Sequence, residues 1–156
     1  MTKKAGFRKA SSSWGFTCMQ FFVSDQGYVL VVPMKSAREL PKALRVFSKE
    51  VSVPLYLIAD PHPCQKSKEV RRFCHNIGTT FRLLKESTQC ANRSELYIGL
   101  FKEEIRKNTH ESNSPLVFWG YCVQQRSTIT NMTVKNIFQL QGQNTHIATF
   151  GEQGDI

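Results

Sequence analysis

"VPLYLIAD", residues 53–60, is an apolar run of strand length that ends in an acid. A continuous apolar segment bounded by turn signals reads as a strand buried on both faces, the kind found in parallel sheets. On its N-terminal side, Leu40, Leu44, Phe47 and Val51 recur at helical spacing behind Ser36-Ala-Arg-Glu39, which has the form of a capping box. Pro41 then falls in the first turn, where a missing N–H costs least. On its C-terminal side, a helix starting near Ser67 stacks Val70, Phe73, Cys74 and Ile77 and stops at Gly78. "TTFRLL", residues 79–84, is a further strand. A strand flanked by helices and followed by another strand defines an α/β domain.

Further out, "FTCMQFFVS" (16–24) and "GYVLVVPM" (27–34) are aromatic and β-branched, and Asp25-Gln-Gly27 between them predicts a tight hairpin. Asp25 suits that turn because its side chain bonds its own backbone. After residue 88 a long helix is expected, with Leu96, Leu100 and Ile105 on or near one face. A second follows Pro115 through "LVFWGYCVQQRSTI". The tail from Val134 is rich in Gln, Gly and Thr and shows no clear period. Residues 1–15, with four cations and three serines, read as a loose basic arm.

The bulk composition excludes several classes. With 156 residues and 40% hydrophobic content the chain can bury one core and carries no disorder signature. No apolar run reaches bilayer-spanning length, and the basic start is not followed by an apolar signal segment, so an intracellular protein without a membrane partner is expected. Five cysteines (Cys18, Cys64, Cys74, Cys90, Cys122) without a CxxC pair argue against a disulfide framework or a zinc module. Cys64, Cys74 and His75 lack paired zinc-ligand spacing, and a buried Cys74 beside an exposed His75 is the expected arrangement. Asn92 and Asn131 match the glycosylation pattern, which carries no weight without a signal peptide. The net charge of +9 favours a polyanionic partner, nucleic acid before membrane, over a passive basic surface. Nothing points to a small-molecule substrate.

Two acids stand out: Asp60 at a strand end and Glu95 in the first turn of the long helix. Carboxylates held on separate rigid elements can share a divalent cation, although most acids at strand ends are structural or solvated. Here the text becomes specific. The runs "FFVSDQGYVLVVPMKS", "LYLIAD", "VRRFCHNIGTTFRLLKEST", "ANRSELYIGLFKEEIRK" and "SPLVFWGYC" resemble, in order across residues 16–133, the integrase catalytic core of copia-type LTR retrotransposons.

The resemblance implies an RNase H-like fold, a mixed sheet flanked by helices. It implies a D,D-35-E triad holding two Mg²⁺ (or Mn²⁺) ions, DNA as substrate, and strand transfer by in-line attack of a 3′-hydroxyl on a phosphodiester. Carried over, Asp60 matches the second acid of the triad and Glu95 the third, each as catalytic residue and metal ligand. Lys102, seven positions after Glu95 and on the same helix face, matches a DNA-end contact; an ion pair with a neighbouring Glu is the competing reading. Arg93, Arg106, Lys66 and Lys68 are further nucleic-acid-binding candidates, with Arg71, Arg72 and Lys107 extending that surface. Trp119 matches a core tryptophan. The resemblance also implies nuclear localisation.

The departures bear on activity. Pro61-His62-Pro63 follows Asp60 where the family has Asn-Gly, and 34 residues rather than 35 separate Asp60 from Glu95. The first triad Asp belongs on a first, central strand, yet no Asp or Glu precedes Asp25, and Lys3 and Lys4 stand at the expected place. The expectation is therefore a core whose first strand is missing or degenerate, inactive as an enzyme and prone to self-association through open strand edges. Its parts are a basic arm or degenerate strand (1–15), an integrase-like core (16–133) and a C-terminal extension of undetermined structure (134–156). Two alternatives remain: a non-catalytic basic DNA-binding or interaction module, and the remnant of a decayed element.

Overall fold

The computed structural model describes residues 14–84, 93–133 and 140–151, with the side chain of Arg93 excepted. Strand β1 (Cys18–Val23) pairs antiparallel with β2 (Val29–Met34), Val23 opposite Val29 and Cys18 opposite Met34. The turn between them is the expected hairpin. Ser24 N–H donates to Tyr28 C=O at 2.9 Å, and Asp25 Oδ1 accepts from Gln26 N–H at 2.9 Å. Gly27 closes the turn at φ 83°, a conformation open to glycine at little steric cost.

A single 3₁₀ turn (Ala37–Glu39) leads into α1 (Leu40–Glu50), which carries Pro41 in its first turn as expected. The capping box does not form. Ser36 makes no side-chain cap; instead Glu39 Oε2 accepts from Lys35 N–H at 2.7 Å, one residue further back. The 3₁₀ entry displaces Ser36 from the helix proper, so the serine is too early to cap it. Strand β3 (Tyr56–Ala59) is followed by α2 (Lys68–Asn76) and β4 (Thr80–Leu83), and β3 and β4 run parallel. Ser67 Oγ accepts from Val70 N–H at 3.3 Å to cap α2, and Gly78 ends it at φ 73°. Helix α3 (Arg93–Glu111), a 3₁₀ turn (Leu116–Phe118), α4 (Trp119–Met132) and a short α5 (Thr145–Phe150) complete the order.

The period-two alternation of the hairpin sends successive residues to opposite helix layers. Phe22 and Met34 pack with Leu40, Ala43, Leu44 and Phe47 of α1 and Val70 and Cys74 of α2, with Leu57 and Phe81 against the same cluster. Phe21, Val29 and Val31 pack on Phe101 and Ile105 of α3 and Trp119 and Val123 of α4. Cys74 is buried at 1% exposure and His75 exposed, as anticipated, and Trp119 is a core residue at 1%.

Two expectations about burial are corrected. The 53–60 segment is not buried on both faces: Leu55, Tyr56 and Ile58 are 77%, 59% and 60% exposed. The helices α1 and α2 cover the Leu57 side of β3, while the α3–α4 cluster is built on β1 and β2 and draws nothing from β3 or β4. On α3 the inward stripe is Tyr97, Ile98, Phe101 and Ile105, whereas Leu96 and Leu100 face outward at 65% and 49% exposure.

Among the described residues the two strand pairs form two separate sheets. Thr80 N–H donates to Leu55 C=O and Leu84 N–H to Ala59 C=O, each at 2.9 Å, so alternation turns the backbone groups of Tyr56 and Ile58 to the opposite edge. Likewise, the bond from Ser24 to Tyr28 sets the even residues of β1 against β2 and turns Met19, Phe21 and Val23 to the far side.

Candidate metal and nucleic-acid site

Asp60 leaves β3 at its C-terminal end, 7% exposed, where an α/β sheet opens its crevice. Its carbonyl accepts from His62 N–H at 2.7 Å, and His62 C=O accepts from Gln65 and Lys66 N–H at 2.9 and 3.2 Å. Pro61 and Pro63 fix φ within this winding turn. His62 and Cys64 thereby meet, with Nδ1 2.9 Å from Sγ and 3.4 Å from Cys64 N–H. Since the backbone N–H can only donate, Nδ1 is the acceptor, the thiol is the second donor, and the imidazole proton sits on Nε2. Burial raises the Cys64 thiol pKa, partly opposed by backbone hydrogen bonds, so a protonated thiol fits the geometry and a nucleophilic thiolate does not. Gln65, 6% exposed, donates from Nε2 to Gln20 Oε1 at 3.4 Å and ties this turn to β1.

Glu95 lies in the first turn of α3, half-buried, where the helix dipole favours a carboxylate. It makes no ion pair among the described residues. Lys102 is half-buried two turns later on the same face. The acids beside it are engaged elsewhere, Glu103 with Lys107 at 3.4 Å and Glu104 with Arg126 at 3.2 Å. Lys102 has no salt bridge among the described residues. Arg106 and Lys107 are exposed further along α3, while Lys66, Lys68, Arg71 and Arg72 are exposed on the turn after Asp60 and on α2. Each acid is therefore followed along the chain by its own group of cations.

Among the described residues no three His, Cys, Asp or Glu side chains converge to hold a metal ion. Asp60 and Glu95 alone do not provide the carboxylate set of a two-metal clamp. Lys3, Lys4 and the rest of 1–13 lie outside the described residues, as do the side chain of Arg93 and residues 134–139 and 152–156 of the C-terminal extension.

Two features escaped the sequence reading. The His62–Cys64 contact had a signal in the run Pro-His-Pro-Cys, which places the two side chains within two residues of each other in a proline-restricted turn. Asn131 had one too: it lies four positions after Ser127, on the face of α4 that also carries Val123. It is 4% exposed and bonded through its amide, so its side chain is committed to the interior.

In overall fold, helices packed on two strand pairs, the chain is similar to solved integrase catalytic cores. No family model and no curated protein matches the chain. Solved structures do. The HTLV-2 integrase catalytic core domain in complex with magnesium, in its trimeric form, superposes with a TM-score of 0.65 at 19% identity, over 85% of this chain and 84% of that one. The BIV integrase catalytic core gives 0.64 at 12% identity, over 85% and 91%. A chain of the simian T-cell lymphotropic virus intasome in complex with PP2A regulatory subunit B56 gamma gives 0.70 at 13% identity, over 88% of this chain and 54% of that one. The likeness is one of fold.

Proposed function

We propose that this chain is an integrase-core-like domain of copia-type LTR-retrotransposon descent that binds DNA and is catalytically incomplete. The observation that carries the reading is the superposition on an integrase core over most of both chains, with Asp60 at the end of β3 and Glu95 in the first turn of α3. The copia-type assignment rests on the sequence runs in 16–133. Incompleteness rests on Lys3 and Lys4, which stand where the resemblance places the first triad Asp. In this reading Asp60 and Glu95 are two of three ancestral ligands for Mg²⁺ or Mn²⁺, and residues 1–15, 16–133 and 134–156 are arm, core and extension. Magnesium is named for the HTLV-2 core; for this chain it is part of the proposal.

A non-catalytic binding role is favoured by Lys102, which has no salt bridge among the described residues although two acids adjoin it. Lys66, Lys68, Arg93 and Arg106 extend that surface, and phosphate contacts need no metal. The proposal includes self-association and nuclear localisation, the latter checked by imaging a tagged chain.

The test is a strand-transfer and end-trimming assay on duplex oligonucleotides with Mg²⁺ or Mn²⁺, run beside a binding titration at several salt concentrations. The expected result is salt-sensitive binding without cut or joined product. Metal-dependent joining lost in Asp60→Asn would overturn the incompleteness. Absence of DNA binding at low salt would overturn the DNA role.

A further inference from the structure

We propose that the outer edge of β2 is a docking groove for a short extended peptide carrying a cationic side chain. The ladder alternation turns the N–H and C=O of Val29, Val31 and Pro33 away from β1. Two of these positions are already managed. Asn131 takes both backbone groups of Val29, and Pro33 has no N–H to leave unpaired. Val31 differs. Its donor and acceptor face the same edge, the residue is 5% exposed, and no side chain among the described residues caps either group.

That edge opens into a cavity of about 360 Å³, with Val46 and Glu50 of α1 on one wall and Gln124 and Thr128 of α4 on the other. The volume is that of a small-ligand site. A peptide in extended form offers a carbonyl and an N–H at one spacing, the complement of Val31, and can enter between two helices that already flank the edge. The Asn131 clamp stops it at Val29 and sets its register. Glu50 makes no ion pair among the described residues and supplies the charge that selects a Lys or Arg on the incoming segment. Its negative charge is felt within the groove, where it reinforces the effect of burial in raising the pKa of Tyr28.

The probe is acetyl-Thr-Val-Arg-Val-Thr-amide titrated into ¹⁵N-labelled full chain, read at the Val31 amide. Saturable movement of that resonance is expected. Of two analogues, N-methylated at both valines or at the arginine, one should lose binding. Glu50→Lys should weaken binding about tenfold or more and shift preference to the peptide with Glu in place of Arg. Thr128→Trp, at an exposed position, should close the groove with the remaining spectrum intact. No Val31 shift, or binding indifferent to N-methylation and to Glu50→Lys, overturns the proposal. A Val31 shift that grows with protein concentration without peptide assigns the groove to a second copy, and overturns it as well.

Discussion

Asn131 holds Val29 by both of its backbone groups: Oδ1 accepts from Val29 N–H at 2.8 Å, and Nδ2 donates to Val29 C=O at 2.8 Å. A side-chain amide presents the same donor and acceptor as a peptide unit, so α4 acts as a one-residue strand against β2. Ser127 Oγ adds a second donor to Val29 C=O at 2.6 Å, and Thr145 Oγ1 donates to Asn131 C=O at 3.2 Å. Helix α4, the hairpin and α5 are thereby joined at one buried point. An exposed strand edge is a liability, and this clamp removes part of it.

Asn131→Ala should destabilise the chain by about 2–3 kcal/mol, because Val29 N–H is left buried without a partner. Ser127→Ala should cost less, about 1 kcal/mol, since the carbonyl keeps the amide donor. The double variant should lose more than the sum, because the last partner of the carbonyl leaves with the second change. Urea unfolding of the four proteins decides it, and strict additivity would show that the groups act independently.

Stability should fall at alkaline pH. Burial raises the Cys74 and Cys64 thiols above their ordinary value of 9.0, and it raises Tyr28 above 10.0 with help from Glu50. Between the unfolded and folded pKa values the native state binds more protons, so stability declines as pH rises through that window. Unfolding midpoints measured from pH 7 to pH 10.5 should be flat up to about 8.5 and then fall. Replacing Cys64 by Ser and Cys74 by Ala should reduce the alkaline slope even though the variants are less stable at neutral pH. An unchanged slope would mean that these thiols ionise as freely in the native state as in the unfolded one.

Much of this architecture is written locally. Gly27 and Asp25 specify the hairpin, and Ser67 and Gly78 mark both ends of α2, because turn and cap chemistry act within a few residues. Burial is less local. On α3 the pairs Leu96/Leu100 and Tyr97/Phe101 are both apolar at i,i+4 and lie one residue apart, so periodicity alone does not say which faces inward. The β-hairpin settles it by presenting Phe21 to Phe101, the ring centroids 5.3 Å apart and the rings edge-on. For β3, an apolar run predicts cover on both faces, but cover depends on helices placed by distant parts of the chain. Asp60 and Glu95 became a candidate site through family resemblance. Their types and spacing alone are compatible with two solvated carboxylates.

The open face of β3 leads to a direct contrast. Ile58→Thr should change stability by no more than about 0.5 kcal/mol, since the residue is 60% exposed. Leu57→Ala, one residue away and packed against the α1–α2 cluster, should cost about 1–2 kcal/mol. Thermal or urea unfolding of both variants provides the comparison. Equal losses would mean that Ile58 is covered in solution.

The basic groups should act on DNA affinity through phosphate and not through base identity. Phosphate neutralisation releases counterions, so log K should fall linearly with log salt, with a slope of about 0.9 for each contact on duplex DNA. Lys102→Ala and Arg106→Ala should each lower that slope by about one contact and weaken binding to unrelated duplexes alike. Lys107→Ala should do less, because Lys107 is already paired with Glu103 at 3.4 Å. The Lys102 effect carries most weight for the proposed DNA role, because Lys102 is half-buried on the same face of α3 as Glu95. Fluorescence anisotropy at four salt concentrations with two unrelated duplexes separates the outcomes. If Lys102→Ala leaves the slope intact while Lys107→Ala lowers it, the DNA path crosses the outer face of α3 and not the face that carries Glu95.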